Sequence, residues 1–216
     1  MKEVERNLTQ GDQMKLRERL VLPGIAFAAL ALPLGAAPSA QAGQAGPDSS
    51  VAGTARNCTV QVKTGAVACY DTFRNAILHA TSGAVADAPL DARTAAADPA
   101  FTRRLNALVK PDGSPVPGVT SIPLSASFQH PNRGGSTWID VADRGCDNDT
   151  GVEYSRSNIA DYDEWWDDRI SSFEGYANCE PNMYEDHGFK GAQTGWHRSL
   201  MDMGAMEDKA SSIKWR

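Results

Sequence analysis

Two hexapeptides in the C-terminal part of the chain repeat each other. Asp167-Asp168-Arg169-Ile170-Ser171-Ser172 and Glu207-Asp208-Lys209-Ala210-Ser211-Ser212 share the order acid, acid, base, apolar, Ser, Ser, and they lie 40 residues apart. Each runs into a short strand-like segment, Phe173-Glu174-Gly175-Tyr176 in the first case and Ile213-Lys214-Trp215 in the second. A fixed period signals one supersecondary unit used twice, because such a unit cannot bury its apolar face alone. The strand signals around the copies, as in residues 136–141 and 182–185, are brief and bounded by turns. Together they predict an all-β unit made from a duplicated module of about forty residues.

The hexapeptide is rich in oxygen donors. Ca²⁺ is a hard ion that takes about 6–8 oxygen ligands from carboxylates, carbonyls, hydroxyls and water. The adjacent acids supply charge, the Ser hydroxyl a neutral oxygen, and the backbone between them a carbonyl. His and Cys are absent from the motif, so zinc or copper would be poorly served. The EF-hand pattern is not present. A single copy would read as a solvated acidic loop; two copies in equivalent positions favour calcium.

Residues from Ser136 to Trp215 resemble a βγ-crystallin domain, a sandwich of two Greek-key motifs. The second key carries the family's hairpin signature, aromatic-x-x-x-x-aromatic-x-Gly, as Tyr184-Glu185-Asp186-His187-Gly188-Phe189-Lys190-Gly191. The hexapeptides look like the family's calcium clamp, written Asn/Asp, Asn/Asp, two variable residues, Ser/Thr, Ser. By this resemblance the domain holds two Ca²⁺ ions between paired clamps. Asp168, Ser171, Asp208 and Ser211 are then side-chain ligands, beside Asp167 and Glu207 at the first clamp positions. Arg169, Lys209 and the hairpin Glu185 would offer carbonyl oxygens. Glu207 stands where the family has Asn or Asp. The first-key hairpin is expected at residues 139–145, which include Asp140, with an insertion running through Cys146 to Asp149.

Charge and indole follow the same division. Residues 134–216 hold 17 Asp or Glu against 8 Lys or Arg, and all five Trp of the chain. The whole chain is net −6, which argues against a nucleic-acid partner, since such partners need clustered base. Asp161, Asp163 and Glu164 beside Trp165-Trp166 are read as a Trp pair with one ring in the core.

The N-terminus reads as a secretory signal over residues 1–42, with a basic flank, an apolar run broken by Pro23 and Pro33, and Ala40-Gln41-Ala42 as cleavage site. A flexible tail is expected over residues 43–55. The protein is thus expected to be secreted, with no membrane association after signal cleavage. In an exported chain four Cys suggest two disulfides, with three possible connectivities. Cys58 and Cys69 flank a hairpin centred on Lys63-Thr64, and Cys146 and Cys179 share the acidic half, so the pairing 58–69 and 146–179 is expected.

Phe73, Ala76, Ile77 and Ala80 fall on one helical face, with Asp71 or Thr72 as cap and Gly83 as stop. A weaker helix is expected over residues 99–109, with Phe101, Leu105 and Leu108 on one side. The fold class is therefore mainly β, a double Greek-key sandwich over residues 134–216. Before it come a small α+β hairpin-helix module or propeptide over residues 56–110 and a Pro- and Gly-rich linker over residues 111–133.

No G-x-S-x-G or H-E-x-x-H string occurs, and the cysteines are better used in disulfides, so no catalytic residue is assigned. His187 and His197 flank the Phe189 hairpin and are expected to face solvent. The leading expectation is a non-enzymatic protein that binds Ca²⁺. The rival is a secreted inhibitor of a metalloproteinase on the same fold, with the loop Cys146-Asp147-Asn148-Asp149-Thr150-Gly151 entering the partner protease.

Overall fold

The computed structural model describes residues 55–216. The signal segment and nearly all of the tail lie outside them. Ten strands and three helices follow in order. The first hairpin is β1 (Asn57–Gln61) and β2 (Val67–Tyr70), and then come α1 (Phe73–Ala80), α2 (Ala92–Ala96) and α3 (Pro99–Asn106). The first key is β3 (Ile122–His130), β4 (Gly134–Ala142), β5 (Tyr154–Arg156) and β6 (Ser172–Gly175). The second is β7 (Pro181–Asp186), β8 (Lys190–Gln193), β9 (Ser199–Leu200) and β10 (Ser212–Trp215).

The strands form two sheets, ordered β2-β1-β4-β3-β6-β9 and β5-β10-β7-β8. Each key gives its third strand away. β5 of the first key pairs with β10 in the second sheet, and β9 of the second pairs with β6 in the first. This exchange makes each copy incomplete without the other, as the repeat implied.

One face of the six-stranded sheet packs on the four-stranded sheet around Trp138, Trp166, Phe173, Met183, Ile213 and Trp215. The opposite face lies under the helices, against Phe73, Ile77, Phe101 and Leu105. Strand β4 shows the division by alternation: Ile139 and Val141 belong to the helix-side core, Trp138 to the inter-sheet core.

The helices form for the reasons visible in their sequence. Thr72 caps α1 by accepting from the Asn75 amide, and the four expected apolar positions are its buried face. In α3, Asp98 caps a first turn that begins with Pro99, and Phe101 and Leu105 are buried. Leu108, just past its end, is buried too. Helix α2, capped by Asp91, was not anticipated. Both disulfides join the expected partners, Cys58 with Cys69 and Cys146 with Cys179.

The domain boundaries need correction. Residues 111–133 are no linker, because β3 lies within them and pairs with both β4 and β6. The sandwich therefore starts before residue 134. Residues 56–110 are no separate module, since β1 pairs in parallel with β4 along Asn57–Gln61, and the described residues belong to one unit. Strand β3, buried on both faces, escaped notice because the Pro- and Gly-rich stretch before it was carried through it as linker. Its Ser125 and Ser127 lie on the face toward the large indoles, where small side chains fit, and Ser125 accepts a bond of 2.9 Å from Trp215 Nε1.

Candidate metal centre

The last Ser of each clamp pins a hairpin of its own key. Ser212 Oγ donates to the Asp186 carbonyl at 2.7 Å and accepts from the Phe189 amide at 3.0 Å. Ser172 Oγ donates to the His130 carbonyl at 2.7 Å and accepts from the Arg133 amide at 3.1 Å. The backbone repeats as well: φ is 70, 65 and 74° at Gly188, Phe189 and Gly191, and 56, 59 and 75° at Asn132, Arg133 and Gly135.

The first-key hairpin is therefore Phe128 to Gly135, and the expected residues 139–145 are strand β4 and its exit. Phe128 and Gly135 stand where Tyr184 and Gly191 stand in the second key. Those two residues were the available signal. The pattern was masked because Arg133 occupies the position of the second aromatic. Phe189 packs edge-on against Tyr184 with ring centroids 5.8 Å apart, whereas Arg133 holds Glu174 at 2.7 Å.

The clamps are also tied to each other. The Asp168 amide donates to the Ala210 carbonyl at 3.3 Å, and the Asp208 amide donates to the Ile170 carbonyl at 3.1 Å. Asp168 and Asp208 both sit in the left-handed region, at φ of 55 and 53°. For a non-glycine residue that conformation costs roughly 1–2 kcal/mol, and Asp tolerates it better than most. The consequence is a crossing of side chains. Ser171 of the first clamp lies against Asp208 of the second, Oγ to Oδ1 2.9 Å. Ser211 of the second lies against Asp168 of the first at 3.1 Å.

Ser171 Oγ also meets the Gln129 carbonyl at 2.8 Å. A hydroxyl has one proton to give, so two acceptors compete for it. A carboxylate, a carbonyl and a hydroxyl converging in this way fit a hard cation better than they fit one another. Gln129 occupies in the first hairpin the place of Glu185 in the second, and it was missed because the hairpin was misplaced. The Ser amides confirm the correspondence: Ser171 donates to the Phe128 carbonyl at 3.0 Å and Ser211 to the Tyr184 carbonyl at 2.9 Å.

The remaining candidates surround these two points. Asp167 and Glu207 each end a 3-10 turn, Glu164–Trp166 and Gly204–Met206, with φ/ψ of −62/132° and −59/131°. The longer Glu207 thus leaves the backbone in the geometry of its counterpart. Asp167 Oδ1 is buried without a hydrogen-bond partner, while its Oδ2 lies 3.4 Å from His187 Nε2. Over the second site lies a hollow of about 660 Å³ lined by Asp167, Asp168, Glu185, His187, Lys209 and Ser211, among others. Lys209 Nζ reaches Glu185 Oε1 at 3.7 Å, and the Arg169 guanidinium lies 4.9 Å from the Trp165 ring centroid. Both bases therefore turn their side chains to neighbours. His187 and His197 are exposed.

Asp140 is excluded from the surface. It is fully buried between the sheets, 2.5 Å from the Arg156 guanidinium, and it accepts from Trp138 Nε1 at 3.2 Å. Burial drives its carboxyl above the ordinary range, and Arg156 opposes that rise. Of the Trp pair, Trp166 is buried, and Trp165 lies beside both Arg56 and Arg169. A further acidic group, Asp147, Asp149 and Glu153, lies in the tethered loop, with one oxygen of each within 4.8 Å of the others. Asp147 and Asp149 bond the loop's own amides, Asp147 to Asp149 N at 3.0 Å and Asp149 to Gly151 N at 2.5 Å.

No family model and no curated protein matches the chain. Solved structures do. A βγ-crystallin domain from Flavobacterium johnsoniae is 21% identical, over 43% of this chain and 93% of that one, with a TM-score of 0.33. A βγ-crystallin domain from Clostridium beijerinckii is 17% identical, over 43% of this chain and 95% of that one, with a TM-score of 0.32. The N-terminal domain of protein S is 19% identical, over 43% and 94%, with a TM-score of 0.33. The chain is mainly β, and part of it is similar to solved βγ-crystallin domains.

Proposed function

We propose that this is an exported calcium-binding protein of βγ-crystallin type, with two Ca²⁺ sites shared crosswise between its clamps. The observation that carries the reading is the convergence of Ser171 Oγ, Asp208 Oδ1 and the Gln129 carbonyl. Equivalent positions, Ser211, Asp168 and Glu185, form the second site. Asp167 and Glu207 add negative charge at the clamp entrances, and Arg169 and Lys209 contribute backbone only. Export is supported by two disulfides, which persist in oxidising surroundings. No helix among the described residues is long and apolar enough to cross a membrane.

An ion that binds only the folded chain stabilises it by RT ln(1 + [Ca²⁺]/Kd), about 2.7 kcal/mol per site at a hundredfold excess over Kd. Calorimetric titration of the chelator-treated protein tests the reading. Heat that saturates near two equivalents, lost in the Asp168→Ala/Asp208→Ala double variant, is expected. No heat and no rise in melting temperature at millimolar Ca²⁺ would sink it.

A second reading, inhibition of a secreted metalloproteinase, rests on the loop at Asp147–Gly151. It is exposed at Asp149 and Thr150, tied by the Cys146–Cys179 bond and braced by Asn148 Nδ2 on the Pro111 carbonyl at 2.8 Å. Assay against a panel of such proteases, with and without Ca²⁺, separates the two readings.

A further inference from the structure

Far in sequence from the clamps, the hairpin β1–β2 and helix α1 enclose a cleft of about 790 Å³. Its walls include Ala66, Val67, Ala68, Leu78 and Val141. Val67 and Leu78 are 37% and 39% exposed, and both open onto this same space. Neither is fully covered by the packing of its element. Helix α1 buries Phe73, Ala76, Ile77 and Ala80 on its other face, so Leu78 is an apolar side chain left toward water. The fold gains nothing from two such residues meeting across an open cleft.

Gln61, Asn75, Ser82 and Ser121 also line the cleft, and three further polar residues, Thr59, Tyr70 and His79, stand in contact with one another. Thr59, 1% exposed, places Oγ1 3.0 Å from His79 Nδ1. The Tyr70 ring lies against the imidazole with centroids 5.2 Å apart. With Nδ1 engaged by Thr59, Nε2 is the imidazole nitrogen left to meet a ligand. The Tyr70 hydroxyl is protonated at neutral pH as any phenol is; burial raises its pKa further, and a hydrogen bond with Thr59 opposes that rise. Among the described residues that line the cleft there is no Asp, Glu, Lys or Arg, in a chain of which 22% is charged. A charged guest would find no counter-charge in these walls. An apolar cavity of this size with a few convergent polar groups is the usual form of a small-molecule site.

We infer that this cleft binds a small neutral molecule with an apolar body and a single hydroxyl, the body between Val67 and Leu78 and the hydroxyl on His79 and Tyr70. The site is separate from the calcium clamps and lies where the hairpin and helix α1 adjoin strand β4.

The experiment titrates the purified full chain with 2-naphthol as probe and 2-naphthalenesulfonate as its charged counterpart, by calorimetry and ligand-observed NMR. Saturable one-to-one binding of 2-naphthol is expected, with the sulfonate weaker by about tenfold or more. Leu78→Glu, which alters an exposed position, should weaken 2-naphthol by about tenfold, and His79→Phe by roughly fivefold through the lost hydrogen bond. Calcium titration of both variants should match the parent chain. Should Leu78→Glu melt early, Val67→Glu replaces it as the wall variant. The inference is overturned if 2-naphthol shows no saturable binding, if the sulfonate binds equally well, or if neither wall variant changes the affinity.

Discussion

Replacing Asp140 by Leu leaves the Arg156 guanidinium stranded between the two sheets. The pair is 0% and 1% exposed, so neither charge can turn to water. Besides Asp140, the guanidinium meets ring faces: Tyr162 at 4.1 Å and Trp138 at 5.4 Å from their centroids. Its Nε and Nη1 already have no hydrogen-bond partner. Breaking such a buried pair from one side costs about 3–5 kcal/mol, a large share of the roughly 5–15 kcal/mol that holds a domain together. Removing both charges, as Asp140→Leu with Arg156→Met, takes away the stranded ion. What remains is the loss of an acceptor for Trp138 Nε1 and of the 3.4 Å contact with Ser125 Oγ, about 1 kcal/mol each. The double variant should therefore be more stable than Asp140→Leu alone by about 2 kcal/mol. Urea unfolding followed by indole fluorescence at neutral pH measures both, because Trp138 bonds Asp140 directly. A double variant as unstable as the sum of its single changes would show that the loss does not come from an unpaired charge.

Other outcomes follow from the same geometry. Because the clamps cross, Ser171→Ala and Asp208→Ala should damage one calcium site and Ser211→Ala and Asp168→Ala the other. A double-mutant cycle by calorimetry should find Ser171 coupled to Asp208 and not to Asp168. Gly135→Ala puts a Cβ at φ 75°, 2.7 Å from His130 Cδ2, and should lower stability by about 1–2 kcal/mol in denaturant unfolding. Asp91 caps α2 through a 2.8 Å bond from the Thr94 amide, and that bond holds its carboxyl below the usual range. Asp91→Ala should cost about 1 kcal/mol at neutral pH. Since the folded pKa is depressed, this contribution is present above the unfolded value and is lost as pH falls through the folded one. Unfolding curves of the two proteins should therefore converge in acid.

Much of this structure was legible in the chain. The repeated clamp announced two copies of one β unit. The 3-4-7 spacing of Phe73, Ala76, Ile77 and Ala80 gave the buried face of α1, and Cys58 and Cys69 gave the register of their hairpin. These are local signals, carried by spacing along a single element. Strand β3 was overlooked although Leu124, Ala126 and Phe128 alternate with Ser125 and Ser127, because the Pro- and Gly-rich stretch before it was carried through it as linker. The hairpin it forms was hidden by one residue, Arg133, whose positive φ and pairing with Glu174 satisfy the turn without an aromatic ring.

The division between chain and fold is clearest at the clamps themselves. Sequence alone determined which residues bring oxygen: Asp168, Ser171, Asp208 and Ser211, in two matched strings. It could not say which oxygen meets which, since that depends on how the keys exchange β5 and β9 and turn the strings against each other. The fold joined Ser171 with Asp208 and Ser211 with Asp168, and brought in the Gln129 carbonyl, a backbone oxygen that no residue type encodes. It also withdrew Asp140 into the core, because a side chain's chemistry is written in the sequence, but its distance from water is set only when the sheets close.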